Sequence, residues 1–397
     1  MDCELILQIF TGGFSGDTVS YEAVEKKLLS VLPDLPVRKV IMGWAPDVIR
    51  SHRSVYEKTA AFLAKRNIEF FLWFPVFSET GVARDQSPLV DLYGRRLENS
   101  RDQAGEDFAF CCPNDPRNIE NIFDIFEREF SSIPFTGIFL DKIRYPSFAQ
   151  GHGQRGVFSC FCPRCQAKYE RENFDPRQLQ KALSRPASSP LGITAYRGSG
   201  VYTFEDPAVS DFFSLKAAFI FQGMQQICQY FREKGFKIGF DVFAPFLSPF
   251  VGQDLASLSR LCDFMKPMMY RITQAPAGLP FELEALLAET DGEYAIKKQI
   301  FYELLGLDPH KNMFDLAFAV KETSGFISSS ACPVYPGVEI NRKKNMAEVY
   351  PDYIEETLRA YTAAGINNFV LSWDLLSAPE ENLDRICELV GNRGTIG

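Results

Sequence analysis

Short runs of apolar residues alternate with longer amphipathic stretches along almost the whole chain. The apolar runs fall at 4–10, 37–44, 68–76, 135–141, 236–243, 263–270, 332–339 and 367–374, and read as eight strands. Between and after them, apolar positions recur with a helical period, predicting helices at 20–32, 51–65, 116–130, 211–234, 253–261, 308–323, 351–364 and 378–390. Lys65-Arg66-Asn67 supplies cations and a cap at the end of the second helix, and Gly365 closes the seventh. Near-continuous apolar strands alternating with helices are the pattern of a parallel sheet covered on both faces. Eight such units predict an α/β chain of the (β/α)8 TIM barrel class. A doubly wound open sheet is the alternative. It lacks its G-x-G-x-x-G signal, because Thr11-Gly12-Gly13 after the first strand has the wrong spacing.

The chain has 397 residues, more than the ~250 a barrel needs. The surplus lies in two connections, 77–112 after the third strand and 142–210 after the fourth, the latter with a Pro/Ser/Gly-rich stretch at 185–200. The expectation is one barrel spanning 1–397, with these two insertions as cleft wall and knuckle. Structureless connections this long are usually functional walls or lids, or disordered.

Charge and composition narrow the function classes. There are 42 Lys+Arg against 51 Asp+Glu, a net charge of −9, and 46% of residues are hydrophobic, which excludes a disordered chain. The acidic balance, without a basic run, argues against a nucleic-acid partner. No apolar run approaches the ~18 residues that span a bilayer, so no membrane partner is expected. No cation precedes Lys26, which predicts no signal peptide and a cytoplasmic location. Homo-oligomerisation stays open. Phe, Tyr and Trp number 36, 15 and 3; beyond filling a core, such flat faces suit sugar rings.

Five of the ten cysteines, Cys3, Cys228, Cys262, Cys332 and Cys387, sit in apolar stretches and read as core residues. The others cluster. Cys160-Phe161-Cys162-Pro163-Arg164-Cys165 is C-x-C-x2-C, and Cys111-Cys112 at the end of the other long connection offers a fourth thiol. Four thiolates close a tetrahedral zinc site and leave no open position, so the metal would be structural. Free thiols or a disulfide are the weaker reading without a secretion signal, and an iron–sulfur cluster suits the spacing less well.

Barrel chemistry sits at the C-terminal strand ends. There the fourth strand offers Asp141, with Arg144 and Tyr145 just beyond. The fifth offers Asp241, the sixth Tyr270 and Arg271, the seventh Glu339 and the eighth Asp374. Trp44, Trp73 and Trp373 lie near the ends of strands two, three and eight. One such carboxylate could be a cap or a salt-bridge partner. Four together fit glycoside hydrolysis, which needs a carboxylate pair. His52, His152 and His310 do not fall on strand ends, so a histidine-based triad or a His-rich catalytic metal site is poorly supported.

The run Tyr93-Gly94-Arg95-Arg96, then Cys112-Pro113-Asn114-Asp115-Pro116, then the C-x-C-x2-C resembles the family 42 glycoside hydrolases, the β-galactosidase barrels with a four-cysteine zinc site, over roughly residues 90–170. The resemblance implies Cys112, Cys160, Cys162 and Cys165 as ligands, with Cys111 outside. By analogy it makes Glu339 the nucleophile and Asp141 the proton donor. The fourth strand departs from that family: its Asp-Asn-Glu falls on Asp141-Lys142-Ile143, with no glutamate, so galactosidase activity does not carry over. The element Gly137–Pro146 is instead similar to that of glycoside-hydrolase-like barrels related to polygalactosaminidases.

Together the resemblances imply a glycosidase acting on a carbohydrate. Asp141 and Glu339 would be its pair, and Trp44, Trp73, Arg144, Tyr145, Asp241, Tyr270, Trp373 and Asp374 would surround the substrate. Alternatively, Asp141 is the nucleophile and Asp241 or Glu339 the acid. A different class of reading is a non-catalytic carbohydrate-binding barrel that lost its acid at position 143. A lyase or deacetylase barrel is a third, weakened in its metal-dependent forms by the lack of histidine ligands.

Overall fold

The structure, a computed structural model, describes residues 3–10, 20–43, 46–78, 86–101, 107–187, 189–288, 294–308 and 314–391. Its centre is a parallel sheet of eight strands: β1 (Glu4–Ile9), β2 (Val37–Met42), β3 (Glu69–Pro75), β4 (Gly137–Asp141), β5 (Lys237–Phe243), β6 (Phe264–Met268), β7 (Gly337–Glu339) and β8 (Asn368–Ser372). The order β6-β5-β4-β3-β2-β1-β8-β7 is sequential around a ring. A parallel bridge between Met265 and Val334 closes it. The barrel is therefore the one the apolar pattern predicts, and the open-sheet alternative is excluded.

The seam between β6 and β7 is thin for a chemical reason. Met265 N–H donates to Pro333 and Tyr335 N–H donates back to Met265. Pro267, two residues on and facing the same way, has no N–H, and neither has Pro336. The predicted strand 332–339 is accordingly regular only over its last three residues.

Inside the barrel, Ile6, Ile41, Phe71, Phe139, Phe264, Tyr335 and Val370 form one packed layer. A second core fills the space between the strands and the surrounding helices. Three helices, Pro116–Glu129, Pro176–Leu183 and Pro207–Glu233, start with the same device. An Asp caps the first turn through its side chain and a Pro follows at the first helical position.

The connection after β4 is well built rather than structureless. It contains helices Gly153–Val157, Pro163–Arg171 and Pro176–Leu183, and a hairpin of Ile193–Tyr196 with Tyr202–Phe204. After β6, helices Leu279–Ala288 and Tyr294–Leu305 precede Leu316–Ser329, so the single helix expected at 308–323 is one of three. Of the cysteines read as core residues, Cys262 and Cys332 meet with sulfurs 3.6 Å apart.

Candidate active site

The inward positions of β4 and β5 follow from their register. Phe139 faces the barrel interior and pairs with Gly239, and Leu140 pairs with Phe240. Side chains alternate along a strand, so Asp141 and Asp241, two residues on, also face inward as neighbours. Both line a pocket of about 620 Å³ at the C-terminal end of the barrel, with Gln8, Trp73, Tyr270 and Trp373. Strands β3, β4, β5 and β8 thus bring predicted residues together.

Asp241 is 2% exposed. Its Oδ2 accepts from Lys266 Nζ at 2.9 Å, while its Oδ1 has no hydrogen-bond partner among the described residues. Burial pushes its carboxyl up to about 7, against the opposing pull of Lys266 and with a further push from Asp141. Asp141 Oδ1 accepts from the backbone N–H of Lys142 at 2.5 Å. Lys142 itself sits at φ 51°, in the left-handed region that non-glycine residues occupy uncommonly. The Trp73 indole N–H is a second buried polar group on a pocket-lining side chain that lacks a partner among the described residues.

Arg144 and Tyr270 also line the pocket. Arg144 donates to Tyr145 O at 3.0 Å and to Gln150 Oε1 at 2.7 Å, and its guanidinium lies over the Phe243 and Phe110 rings. Burial pushes the Tyr270 phenol up to about 12.

Three expected site residues are placed elsewhere. Glu339 is 1% exposed and does not line the pocket. Its Oε2 accepts from Arg271 N at 2.8 Å, and its Oε1 from Ile272 N, Thr273 N and Thr273 Oγ1 at 3.2, 2.9 and 2.6 Å. Tyr353 O–H also donates to it. So many donors leave no lone pair free to reach a substrate; Glu339 folds the 271–273 turn that builds the pocket wall. Burial still pushes its carboxyl upward, against those donors. Glu339→Gln would set an amide N–H against them. It is expected to lower unfolding stability by about 1–3 kcal/mol, as urea denaturation would show.

Asp374 accepts from Phe10 N, Leu376 N and Ser377 N at 3.0, 3.2 and 3.1 Å, tying β8 to β1 rather than facing the pocket. Tyr145 is buried behind the β4 end, with its ring 4.5 Å from Lys216 Nζ. Trp44 lies outside the described residues, as does His310. His152 is a loop residue whose Nε2 lies 2.6 Å from Glu98 O, away from the pocket.

Position 143, where the family 42 pattern has glutamate, is fully buried Ile143. A carboxylate there would sit in core, so its absence takes nothing from this pocket. Sequence reasoning missed Lys266 and Gln8, although a lysine inside the apolar run Phe264–Met268 is a visible signal. It also missed Glu282, which accepts from Ala277 N at 2.9 Å and Ser147 Oγ at 3.0 Å and joins the wall after β6 to the turn after β4.

The cysteine cluster joins the connections after β3 and β4. The sulfurs of Cys112, Cys160, Cys162 and Cys165 all fall within 4.8 Å of one another and are buried. Cys112 is 3.7 Å from Cys162 and 3.5 Å from Cys165. A tetrahedron with ~2.3 Å metal–sulfur bonds has edges of ~3.8 Å, so the cluster could hold a metal ion. Val90 N and Asn114 Nδ2 donate to the sulfurs of Cys160 and Cys165 at 3.4 and 3.3 Å, contacts that would also support metal-bound thiolates. Cys111 stays outside, its thiol pushed up to about 12 by burial.

No protein-family model matches the chain, and no curated protein is similar in sequence. Solved structures do match in fold. The glycoside hydrolase domain of PgaB (BpsB) from Bordetella bronchiseptica superposes with a TM-score of 0.60, 11% identity, and coverage of 99% of this chain and 100% of that one. Looser matches are a Group IV chitinase from Ostrinia furnacalis (TM-score 0.48, 8% identity, 96% and 98% coverage) and α-L-fucosidase isoenzyme 2 from Paenibacillus thiaminolyticus (0.49, 8%, 98% and 48%). The (β/α)8 barrel read from the sequence is thus a fold this chain shares with the PgaB domain. The narrower likeness to family 42 rests on the quoted motifs alone. Among the described residues, no helix is long and apolar enough to cross a membrane.

Proposed function

We propose that the protein is a glycoside hydrolase with Asp241 as proton donor and Asp141 as the second carboxylate of the pair. The observation that carries this is the unpartnered Oδ1 of buried Asp241, beside Asp141, in a pocket lined by Trp73, Tyr270 and Trp373. A carboxyl raised to about 7 is still protonated in about half of the molecules in neutral solution and can pass that proton to a glycosidic oxygen. Asp141 then attacks the anomeric carbon or takes a proton from the water that does. The aromatic faces suit the C–H faces of a sugar ring. The assignment replaces the Asp141–Glu339 pair, because Glu339 is consumed by the wall.

The test is a screen of aryl glycosides and oligosaccharides with the purified protein, alongside Asp241→Asn. Hydrolysis that the substitution abolishes supports the reading; sugar binding with no turnover in either protein favours the non-catalytic barrel. Activity should fall as pH rises through about 7, where Asp241 loses the proton it must donate. A pH–rate profile flat from pH ~6 to ~9 would remove Asp241 as the acid.

For the cysteine cluster we propose structural zinc, held by Cys112, Cys160, Cys162 and Cys165 with no coordination position open to substrate. It would add no chemistry to the cleft. One barrel over the whole chain, with 77–112 and 142–210 as its cleft-side insertions, is the domain organisation that accords with this reading.

A further inference from the structure

Lys266 is a cation in the middle of a barrel strand, 1% exposed. Its Nζ donates to Asp241 Oδ2 at 2.9 Å and to Gln8 Oε1 at 3.1 Å, and Ser372 Oγ donates to the same Gln8 oxygen at 3.3 Å. Room for the lysine stem comes from Gly337 on the neighbouring strand. A Cβ there would lie 3.1 Å from Lys266 Cε and 3.0 Å from the Tyr270 ring. The lysine is thus hydrogen-bonded from β1 and β5, with β7 leaving room for its stem, and grips one oxygen of Asp241 only.

We propose that Lys266 is a positioning residue for Asp241: it fixes one carboxylate oxygen and so presents the other, Oδ1, to the cleft. This rests on the glycosidase reading for its use, but not for its geometry. A carboxyl rotating freely in a buried site would spread its proton over both oxygens and several orientations. One held through Oδ2 by an ammonium, which can only donate, must carry its proton on Oδ1. The acid is thereby aimed, at the cost of a cation that favours its ionised form. Burial and the neighbouring Asp141 oppose that cation, leaving the proton available near neutrality. The other charged or titratable groups facing Asp241 are Lys142 and Arg144 from the turn after β4, and Tyr270 after β6.

The substitution Lys266→Met keeps most of the volume and removes the charge. With aspartate carboxyl carbons labelled for NMR, Asp241, identified by its loss in Asp241→Asn, should titrate near pH 7 in the parent. In Lys266→Met its midpoint should move up by about 1 pH unit or more, because the cation that favoured ionisation is gone. Lys266→Arg should return it toward the parent value. Where a substrate is in hand, kcat should fall by about 10-fold or more and KM by less than ~3-fold, the signature of lost aim rather than lost binding. An Asp241 midpoint unmoved in a folded Lys266→Met protein overturns the proposal. If Lys266→Met does not fold, Lys266→Gln, neutral but still a donor, is read the same way. A midpoint that moves in a protein hydrolysing no glycoside supports the pairing and overturns the proposed function instead.

Discussion

Asp241→Asn is expected to reduce kcat by about 10²-fold or more on natural glycosides, with KM little changed, because the amide keeps the shape and loses the proton. The size of the loss should depend on the leaving group. An aryl glycoside that departs as a stabilised phenolate needs no proton, so Asp241→Asn should remain far more active on it than on an alkyl glycoside. Asp141→Asn removes the negative charge at the anomeric carbon and should fail on both. Measured together, the two variants assign the roles without a bound ligand. Equal losses on both substrates in both variants would undo the division of labour, and near-normal activity in either would remove that residue from catalysis. The asparagine also leaves Lys266 buried without its counter-charge, a change worth several kcal/mol in other proteins. The comparison therefore needs the thermal midpoint of each variant, and the leaving-group contrast within one variant is immune to that loss.

The barrel was legible because its signal is local. Each strand is an apolar run, each helix an amphipathic one, and both survive in a single sequence. The two helices missed after β6 fail this test in part. Helix Leu279–Ala288 is apolar nearly all round, with Leu279, Leu283, Leu286 and Leu287 buried, so its period is faint. The cysteine cluster was legible for the same reason as the strands: three of its thiols lie within six residues.

The carboxylates were legible as candidates and not as roles. Asp141, Asp241, Glu339 and Asp374 look alike in sequence, each ending an apolar strand. What separates them is how many donors the rest of the chain aims at each. Glu339 meets N–H groups from 271–273, some 67 residues away, and Asp374 meets Phe10, 364 residues away. Only in space is Asp241 left with one oxygen unclaimed. Lys266 teaches the converse. Its oddity in an apolar strand was on view, but its meaning needed Gln8, 258 residues distant, and the empty space at Gly337.

Removing metal from the cysteine cluster is expected to lower thermal stability substantially and to weaken substrate binding more than turnover. The purified protein should carry about one zinc, with Zn–S distances near ~2.3 Å by X-ray absorption. Less than about half an equivalent, or oxygen-rich coordination, would sink the assignment. The link to the cleft runs through the backbone. Phe108 lines the pocket four residues before Cys112, and the Lys142 ammonium lies 4.7 Å from its ring centre. On the other side, Phe161 N–H donates to Val90 O at 2.8 Å, and Asp91 takes Arg95 and Arg155 at 2.9 and 2.8 Å. Metal would pin the two connections where these bonds already join them. Chelation, or Cys162→Ser, should therefore loosen both connections together, seen as faster amide exchange at 86–101 and 153–171. KM should rise while the pH midpoint set by Asp241 stays put, because no cysteine of the cluster lines the pocket. A chelated protein that keeps its KM and loses kcat would mean that the metal takes part in the reaction, contrary to a closed four-thiolate centre.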